Sequence, residues 1–257
     1  MTAQGDESAQ SERKYHVGLA AGEVGGYVLV PGDPFRTALI ATHLEGAEEK
    51  AWSREFRSFT GNIAGTPVSA VSSGIGGPSM AIAVEELVEL GVHTFIRVGT
   101  CGALQPGLRQ GDLVIATGSV RTERTPDAYV PPEYPALTTI AVVEALAAAA
   151  TDAGARHHVG LIRSVDALYA GLAPERMVAP TAARAEIELW ARAGVLASDM
   201  ESATMMVVSS LRGARSGVLN LVTDEAGAEA IPHLDVSHMH RMLGVAVDAV
   251  RRLIESG

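Results

Sequence analysis

Residues 67–102 read PVSAVSSGIGGPSMAIAVEELVELGVHTFIRVGTCG, and this stretch decides the fold. Its first segment, PVSAVSSGIGG, is an apolar run that ends in glycines, which is typical of a buried strand followed by a turn. The middle segment predicts a helix, because Pro78 suits a first helical turn and Gly91 suits a helix end. The last segment, HTFIRVGTCG, again predicts a strand and a turn. The stretch therefore predicts a strand, a helix and a strand in succession.

The same alternation continues on both sides of this unit. Strand patterns followed by turns occur in GYVLVPGDP (26–34), GDLVIATGSV (111–120), HHVGLIRSVD (157–166) and SGVLNLVTDE (216–225). Helical patterns occupy 138–155, 200–213 and 236–256, whereas the prolines of 121–135 predict an irregular connection. The alternation predicts an α/β fold with a central mixed, mostly parallel sheet flanked by helices. We expect a disordered tail at 1–13 and a single domain at 14–257.

The composition excludes several classes of protein. The 257 residues carry a net charge of −10 and are 47% hydrophobic, which supports a large core and argues against a nucleic-acid partner. A single cysteine excludes an internal disulfide framework and a zinc site with several cysteines. We expect no membrane span, because no apolar run reaches about 18 residues. The N-terminus lacks the apolar segment of a signal peptide, so we expect a cytoplasmic protein.

Ligands of open α/β sheets bind beyond the carboxyl ends of the strands. The residues that follow the predicted strands combine glycines, cations, a hydroxyl and a carboxylate: Gly32, Asp33, Arg36, Gly74, Gly76, Gly77, Arg97, Thr100 and Asp224. The sequence contains no dinucleotide fingerprint, ATP-binding loop, zinc-protease motif or serine-hydrolase elbow. We therefore expect the chemistry at this edge of the sheet, without those cofactors or nucleophiles.

Arg97 is the most informative of these residues, because it interrupts an apolar strand between Ile96 and Val98. An isolated buried guanidinium is prohibitively costly, so Arg97 needs a partner. One interpretation is a structural salt bridge. The other is an anion site, since the planar guanidinium fork fits phosphate oxygens. Spacing alone leaves both interpretations open.

Six segments taken together resemble the nucleoside phosphorylase family of the uridine phosphorylase and hexameric purine nucleoside phosphorylase type. They are VLVPGDPFR, REFRSFTG, SSGIGGPSMAIAVEEL, RVGTCGALQP, GDLVIATGSVR and SDMESAT. The resemblance runs from about residue 16 to the final helix. It implies the fold of that family and its activity, reversible phosphorolysis, in which a nucleoside and phosphate give a free base and (deoxy)ribose 1-phosphate.

The resemblance also implies roles for single residues. The family's phosphate-binding positions are matched by Gly32, Arg36, Arg54, Arg97 and Thr100. Its ribose-binding positions are matched by His16, Met200 and Glu201. Two of these, Arg54 and His16, match residues that a neighbouring subunit lends to the site. The residue before Met200 is Asp199, where the family usually has the longer glutamate.

The segments that would recognise the base point in two directions. Uridine phosphorylases read the uracil edge with a Gln and an Arg; here Tyr169 matches that segment, but the Gln position is Leu172, and Arg176 matches only across a two-residue insertion. Asp224 matches the aspartate with which purine nucleoside phosphorylases protonate or hydrogen-bond the leaving purine, unless it merely begins a loop. We predict Tyr169, Arg176 and Asp224 as base-binding residues and Asp224 and Arg97 as catalytic, with uracil and purine both open.

The resemblance implies inorganic phosphate as co-substrate and no other cofactor, and we predict no catalytic metal. Glu55, Ile75 and Ser79 match positions that hold a potassium ion between subunits in some uridine phosphorylases. Residues lent between subunits imply a homo-oligomer, a dimer at least, with a hexamer as the expected assembly. Two other functions stay open: a nucleosidase of the same fold that uses water, and a nucleoside-binding protein without catalysis.

Overall fold

The computed structural model describes residues 13–228 and 230–256, so residues 1–12 of the predicted tail lie outside it. Ten strands are described: β1 Tyr27–Val30, β2 Glu45–Ser53, β3 Phe56–Ile63, β4 Thr66–Val71, β5 Thr94–Ala103, β6 Leu113–Arg121, β7 Ala136–Leu137, β8 His157–Ser164, β9 Ala197–Asp199 and β10 Arg215–Asp224. The α-helices in the same range are α1 Pro34–Ala41, α2 Gly77–Glu89, α3 Ile140–Asp152, α4 Leu168–Leu172, α5 Pro180–Arg192, α6 Ser202–Leu211 and α7 Val236–Glu255. Short 3-10 turns occupy Thr125–Ala128 and Pro174–Arg176.

The strands form one mixed sheet, part of which closes on itself. β1 pairs in parallel with β4 and β5, and β3 and β2 extend the sheet antiparallel beyond β4. On the other side β5, β10, β6 and β8 are neighbours in this order. β9 lies between β8 and β5, pairing with both, so these five strands form a closed ring. The predicted α/β fold with a mixed sheet and flanking helices is confirmed.

Helices cover the sheet on both faces and bury two apolar clusters. α2 and α6 contribute side chains such as Met80 and Met205 to one cluster. α3 and α7 contribute Leu146 and Leu243 to the other. Fully burying one such side chain stabilises the fold by about 1.5–3 kcal/mol. The two clusters therefore hold the ring rigid and fix the positions of the residues at its end. Within the described ranges, no helix is long and apolar enough to cross a membrane.

Several elements carry no clear sequence pattern. No helix or strand is predicted from the sequence for residues 35–63, yet the structure places most of α1, and all of β2 and β3, there. β2 reads EGAEEKAWS and is largely exposed, so it lacks the alternation of a half-buried strand. α5 has no buried residue, so it adds no side chain to the two buried clusters. These elements are held by their neighbours rather than by their own pattern.

Candidate active site

A cavity of about 900 Å³ opens at the carboxyl ends of β1, β5, β8 and β10. This is the size of pocket that encloses a small organic ligand. It lies at the edge of the sheet where the sequence predicts the chemistry. Of the eleven residues predicted to bind phosphate, ribose or base or to act in catalysis, seven line it: Gly32, Arg36, Arg97, Thr100, Met200, Glu201 and Asp224.

Arg36 reaches the cavity because α1 begins directly after β1. The side chain of Asp33 caps this helix by accepting a hydrogen bond from the Phe35 amide at 2.9 Å. Arg36 Nη1 donates to the carbonyl oxygen of Val98 at 3.1 Å. Burial lowers the pKa of Arg36, and the positive charge of Arg97 lowers it further, against the opposing effect of Asp33. An anion bound between the two guanidinium groups would offset both effects.

Arg97 lies in the middle of β5 and exposes only 4% of its surface. Its Nε donates to Asp199 Oδ2 at 2.8 Å, and its Nη2 pairs with Glu201 Oε2. Burial alone would lower the pKa of Arg97, but the carboxylates of Glu201 and Asp199 raise it. Within the described residues, Nη1 is buried and has no hydrogen-bond partner. Arg97 is therefore ion-paired with Asp199 and Glu201, and its Nη1 still has no acceptor among the described residues.

The Asp199 carboxylate is held by hydrogen bonds from elements that are distant from one another in sequence. Besides Arg97, its carboxylate accepts hydrogen bonds from Ser164 Oγ at 2.8 Å, from Asn220 Nδ2 at 3.4 Å and from the hydroxyl of Ser202. Ser164 belongs to β8, Asn220 to β10 and Ser202 to α6. The shorter side chain at this position thus connects two strands of the ring and the covering helix α6 to Arg97.

Glu201 joins the glycine turn before α2 to this network. Its Oε1 accepts a hydrogen bond from the Gly76 amide at 2.6 Å, and its Oε2 pairs with Arg97. Gly76 has a φ of +94°, a conformation that side-chain-bearing residues rarely adopt. Burial raises the pKa of Glu201, while the ion pair with Arg97 opposes that rise. The carboxylate is thus fixed in position at the cavity wall, beside Met200.

Asp224 ends β10 and is turned into place by a bulge. The pairing of β10 with β5 is regular as far as Val222 and Cys101, and after an irregularity Asp224 lies opposite Gly102. A Cβ built on Gly102 would lie 2.6 Å from Asp224 Oδ2, so the carboxyl group lies over that glycine. Burial raises the pKa of Asp224, although the hydroxyl of Thr223, 2.7 Å from Oδ1, opposes this. A raised pKa is what proton donation from an aspartate requires.

Four predicted site residues lie outside the lining of this cavity. His16 Nδ1 lies 2.6 Å from Glu86 Oε1, and the exposed Arg54 guanidinium lies 5.8 Å from the centre of the Tyr15 ring. The resemblance assigns both residues to the site of a neighbouring subunit.

Tyr169 and Arg176, the other two residues, contact each other instead. The Arg176 guanidinium lies 4.8 Å from the centre of the half-exposed Tyr169 ring. Leu172, from the same segment, does line the cavity. The structure therefore brings Leu172, and neither of the two predicted base-binding residues of this segment, to the cavity wall.

Several polar residues of the cavity wall were not singled out from the sequence, and Arg163 and Ser198 are two of them. Arg163 is 5% exposed and lies near the end of β8, next to the buried Ile162. A charged residue that interrupts an apolar strand is the same signal that singled out Arg97. Ser198 has no such signal, because a serine in a short strand is unremarkable.

Comparison with known proteins agrees with this architecture. The family model described as "Phosphorylase superfamily" matches residues 27–256. The chain is 42% identical over 243 residues to uridine phosphorylase of Treponema pallidum, which covers 94% of each chain. It is 36% identical over 249 residues to uridine phosphorylase of Klebsiella aerogenes, covering 93% of this chain and 98% of that one. It is 35% identical over 247 residues to guanosine phosphorylase of Halorubrum lacusprofundi, with the same coverage. A family match over nearly all described strands and helices shows that this chain belongs to the phosphorylase superfamily.

Proposed function

We propose that this protein is a nucleoside phosphorylase, a pentosyltransferase that reversibly cleaves the N-glycosidic bond of a nucleoside with inorganic phosphate. The products are a free base and (deoxy)ribose 1-phosphate. The observation that carries the proposal is the pair of arginines, Arg36 and Arg97, that line one cavity with the buried carboxylate of Glu201. Water as the nucleophile would need no such cationic pair, so phosphorolysis is favoured over the hydrolysis of a nucleosidase.

Phosphate would bind at the Arg36 and Arg97 end of the cavity. The unused Nη1 of Arg97 and the guanidinium of Arg36 are donors of the kind that holds a phosphate dianion, and Thr100 and Gly32 line the same region. Cleavage of the glycosidic bond builds positive charge on the sugar, as in other oxocarbenium-like transition states. A phosphate held beneath C1′ stabilises that charge and attacks the same carbon. Positioning therefore supplies much of the rate acceleration.

The sugar and the leaving base would occupy the rest of the cavity. Glu201, fixed by Gly76 and Arg97, accepts hydrogen bonds from the ribose 2′- and 3′-hydroxyls, with Met200 beside the ring. Asp224 lines the same cavity, and its raised pKa favours a proton shared with the leaving base. The bond that breaks is C1′–N, and its electron pair goes to the base.

The base is uracil or an oxo-purine. Relatives of this chain are named uridine phosphorylase in several bacteria and guanosine phosphorylase in an archaeon. Uracil and guanine share an exocyclic carbonyl group beside a ring N–H. The cavity wall holds Asp224 and Leu172, and Tyr169 and Arg176 lie outside it, which favours recognition at the Asp224 side.

The active assembly would be a homo-oligomer, a dimer at least and a hexamer as the expected form. Large apolar side chains are exposed on the part of the chain that carries His16 and Arg54, the residues that would enter a neighbour's site. They are Tyr15, Phe35, Trp52 and Ile75. Such patches mark interaction surfaces. A second copy on this surface would place His16 and Arg54 in the neighbouring site.

A potassium ion between subunits is a further expectation of the proposal. Ser79 Oγ lies 3.3 Å from the carbonyl oxygen of Ile75, and Glu55 packs against Gly74 in the same turn. The oxygens of these groups are of the type that alkali cations accept. Phosphate remains the co-substrate, and the proposed chemistry needs no other cofactor.

A panel of nucleosides tests the activity. Uridine, thymidine, inosine, guanosine and adenosine are each incubated with and without phosphate, and base release is followed by chromatography. We expect release of uracil or of an oxo-purine only with phosphate, together with formation of the sugar 1-phosphate. Release at the same rate without phosphate would instead establish a nucleosidase. Binding without any release would establish a nucleoside-binding protein.

Arg36→Gln tests the phosphate end. Arg97→Ala is unsuitable, because it would leave two buried carboxylates unpaired, at a cost of about 3–5 kcal/mol. Among the described residues the Arg36 side chain makes one hydrogen bond, to the carbonyl oxygen of Val98, so its loss leaves the network around Arg97 intact. We expect KM for phosphate to rise about 10- to 100-fold, the loss of one charge-assisted contact.

The matched control for this test is Arg124→Gln, because the Arg124 side chain is 80% exposed and lies outside the cavity lining. It should behave as the wild type. An unchanged KM for phosphate in Arg36→Gln would contradict the assignment of the phosphate end.

A further inference from the structure

Four residues form a row across neighbouring strands at the rim of the ring. Arg163 of β8 lies opposite Ser198 of β9, Ser198 lies opposite Gly102 of β5, and Gly102 lies opposite Asp224 of β10. Residues directly opposite each other on paired strands share a face of the sheet. All four line the cavity. The row therefore presents a guanidinium and a hydroxyl at one end and a carboxyl group at the other, with a bare glycine between them.

This row is on the face opposite to the Arg97 network. Successive side chains of a strand point to opposite faces, so Ser198 faces away from Asp199. Arg163 likewise faces away from Ser164, whose hydroxyl donates to Asp199 at 2.8 Å. The Arg163 side chain consequently does not help to hold Arg97 in place, so its burial at the cavity wall needs another explanation.

Arg163 is buried with few partners. Within the part of the chain that the structure describes, its one hydrogen-bond acceptor is Glu186, at 3.4 Å and more than half exposed. Arg163 Nε and Ser198 Oγ are buried without any partner there. Burial lowers the pKa of Arg163, and the charge of Glu186 opposes this effect without offsetting it. Buried donors without acceptors are costly, and in native structures they call for an explanation such as a ligand.

The chemistry of the row defines what can complete it. The guanidinium can only donate hydrogen bonds, so it pairs with a carbonyl oxygen or a ring nitrogen and not with an amino group, and the Ser198 hydroxyl can donate to the same acceptor. Arginine reads a carbonyl oxygen and a neighbouring ring nitrogen in a bidentate manner where proteins recognise guanine. Gly102 has no side chain, and the Asp224 carboxyl group lies over it, so this carboxyl group takes the space that a side chain at position 102 would fill.

We propose that Arg163, assisted by Ser198, is a specificity-determining residue that donates hydrogen bonds to an exocyclic carbonyl oxygen of the nucleobase. The inference rests on the proposed function and deepens it. Nucleosides of oxo bases are accepted, whereas an amino group at the same position of the base meets the guanidinium donor to donor and is rejected. The discrimination comes from a buried donor that only the carbonyl satisfies.

Arg163→Met tests this, because methionine keeps much of the length and removes every donor. The variant is assayed with phosphate on matched pairs, uridine with cytidine and inosine with adenosine. We expect kcat/KM for the oxo nucleoside to fall about 10- to 100-fold, with the amino nucleoside changed only a few-fold and KM for phosphate unchanged. Arg163→Lys, which keeps a donor, should recover part of the loss. Ser198→Ala should give a smaller loss with the same selectivity.

Arg192→Met is the matched control, since the Arg192 side chain is 78% exposed and outside the cavity lining. It should leave all rates unchanged. Equal losses for oxo and amino nucleosides, or a change confined to KM for phosphate, would overturn the proposal. So would a wild type that prefers amino bases.

Calorimetric titration of the same nucleosides without phosphate separates this inference from the proposed function. If the wild type binds oxo nucleosides and cleaves none, the proposed function fails, but a selective loss of affinity in Arg163→Met still supports the inference. If the wild type cleaves nucleosides and Arg163→Met keeps its preference in binding and in rate, the inference fails alone. Binding of neither class by the wild type overturns both.

Discussion

Glu123 is a fully buried acid that the proposed chemistry does not use. It follows β6 and faces α6, where the hydroxyl of Thr204 donates to its Oε1 at 2.6 Å. Its Oε2 is buried without a partner among the described residues. Burial raises the pKa of Glu123 to about 8, and the negative charge of Asp199 adds to that rise. The side chain is therefore a neutral acid at neutral pH and becomes charged only in mildly alkaline solution.

Glu123→Gln should make the protein's stability less dependent on pH. In the unfolded chain the carboxyl loses its proton near its ordinary pKa of about 4.5, whereas the folded chain keeps it up to about pH 8. Between these values the unfolded state binds fewer protons, so the free energy of unfolding falls as pH rises, by about 1.4 kcal/mol per unit. The neutral amide of glutamine has no such loss. The free energy of unfolding of Glu123→Gln should therefore exceed that of the wild type by a margin that grows with pH, on the order of 4 kcal/mol by pH 8.

Chemical denaturation at pH 5, 6, 7 and 8 measures this difference. Glu133→Gln, at an exposed glutamate of the same connection, is the control and should run parallel to the wild type. Parallel curves for Glu123→Gln and the wild type would contradict a buried neutral acid.

Single residues of the site were predictable when their chemistry conflicted with their surroundings. Arg97 is an example, because a charge inside an apolar strand demands a partner. Its partners could not be predicted, since Asp199 and Glu201 lie about a hundred residues away and reach it only through the ring. Arg163 carries the same signal as Arg97 but no family resemblance singles it out. A charge inside an apolar strand therefore marks a residue of the cavity wall even where no motif does.

At the scale of elements, α1 is positioned by its N-cap. The Asp33 side chain accepts a hydrogen bond from the Phe35 amide at 2.9 Å, and Pro34 begins the helix. Asp33→Ala should cost about 1 kcal/mol of stability, because a capping acceptor is lost. For a chain of this size the melting temperature should fall by about 2–4 °C. Asp33→Asn keeps an acceptor and should melt close to the wild type, as measured by calorimetry. An equal fall in both variants would assign the effect to the charge of Asp33 and not to the cap.

Elements with their own apolar pattern were predicted well. α2 was expected from Pro78 to Gly91 and spans Gly77–Glu89, and the final helix was expected at 236–256 and spans Val236–Glu255. The bulge in β10 was not predicted, because it depends on pairing with β5 and has no mark in the segment LVTDE. Yet this one extra residue turns Asp224 toward Gly102. A backbone irregularity that depends on pairing with a neighbouring strand cannot be predicted from the sequence of one strand alone.

At the scale of the whole molecule, sharing of residues between subunits has a measurable consequence. Arg36→Gln damages a chain's own cavity, and Arg54→Gln would damage its neighbour's. Each variant alone should have low activity. In a mixed dimer one site carries both changes and the other carries none, so random mixing should restore about one quarter of wild-type activity, by the two-fold symmetry of such dimers.

The two variants are unfolded together, refolded and assayed, with native mass spectrometry to count mixed dimers. Refolding each variant separately before mixing is the control and should restore nothing at first. Mixed dimers without recovery would place Arg54 in the site of its own chain.

The closed ring also governs when the site can come into existence. β5 and β10 are neighbours although Thr94 and Arg215 are 121 residues apart in the chain. During synthesis, the first half of the chain carries Arg36 and Arg97, but Asp199, Glu201 and Asp224 follow much later. Pairings of this length are slow to form, so ring closure is a late event in folding. A ligand that binds the finished cavity stabilises only molecules in which the ring has closed. It therefore raises the stability of completed chains but has no site on a chain that is still being synthesised.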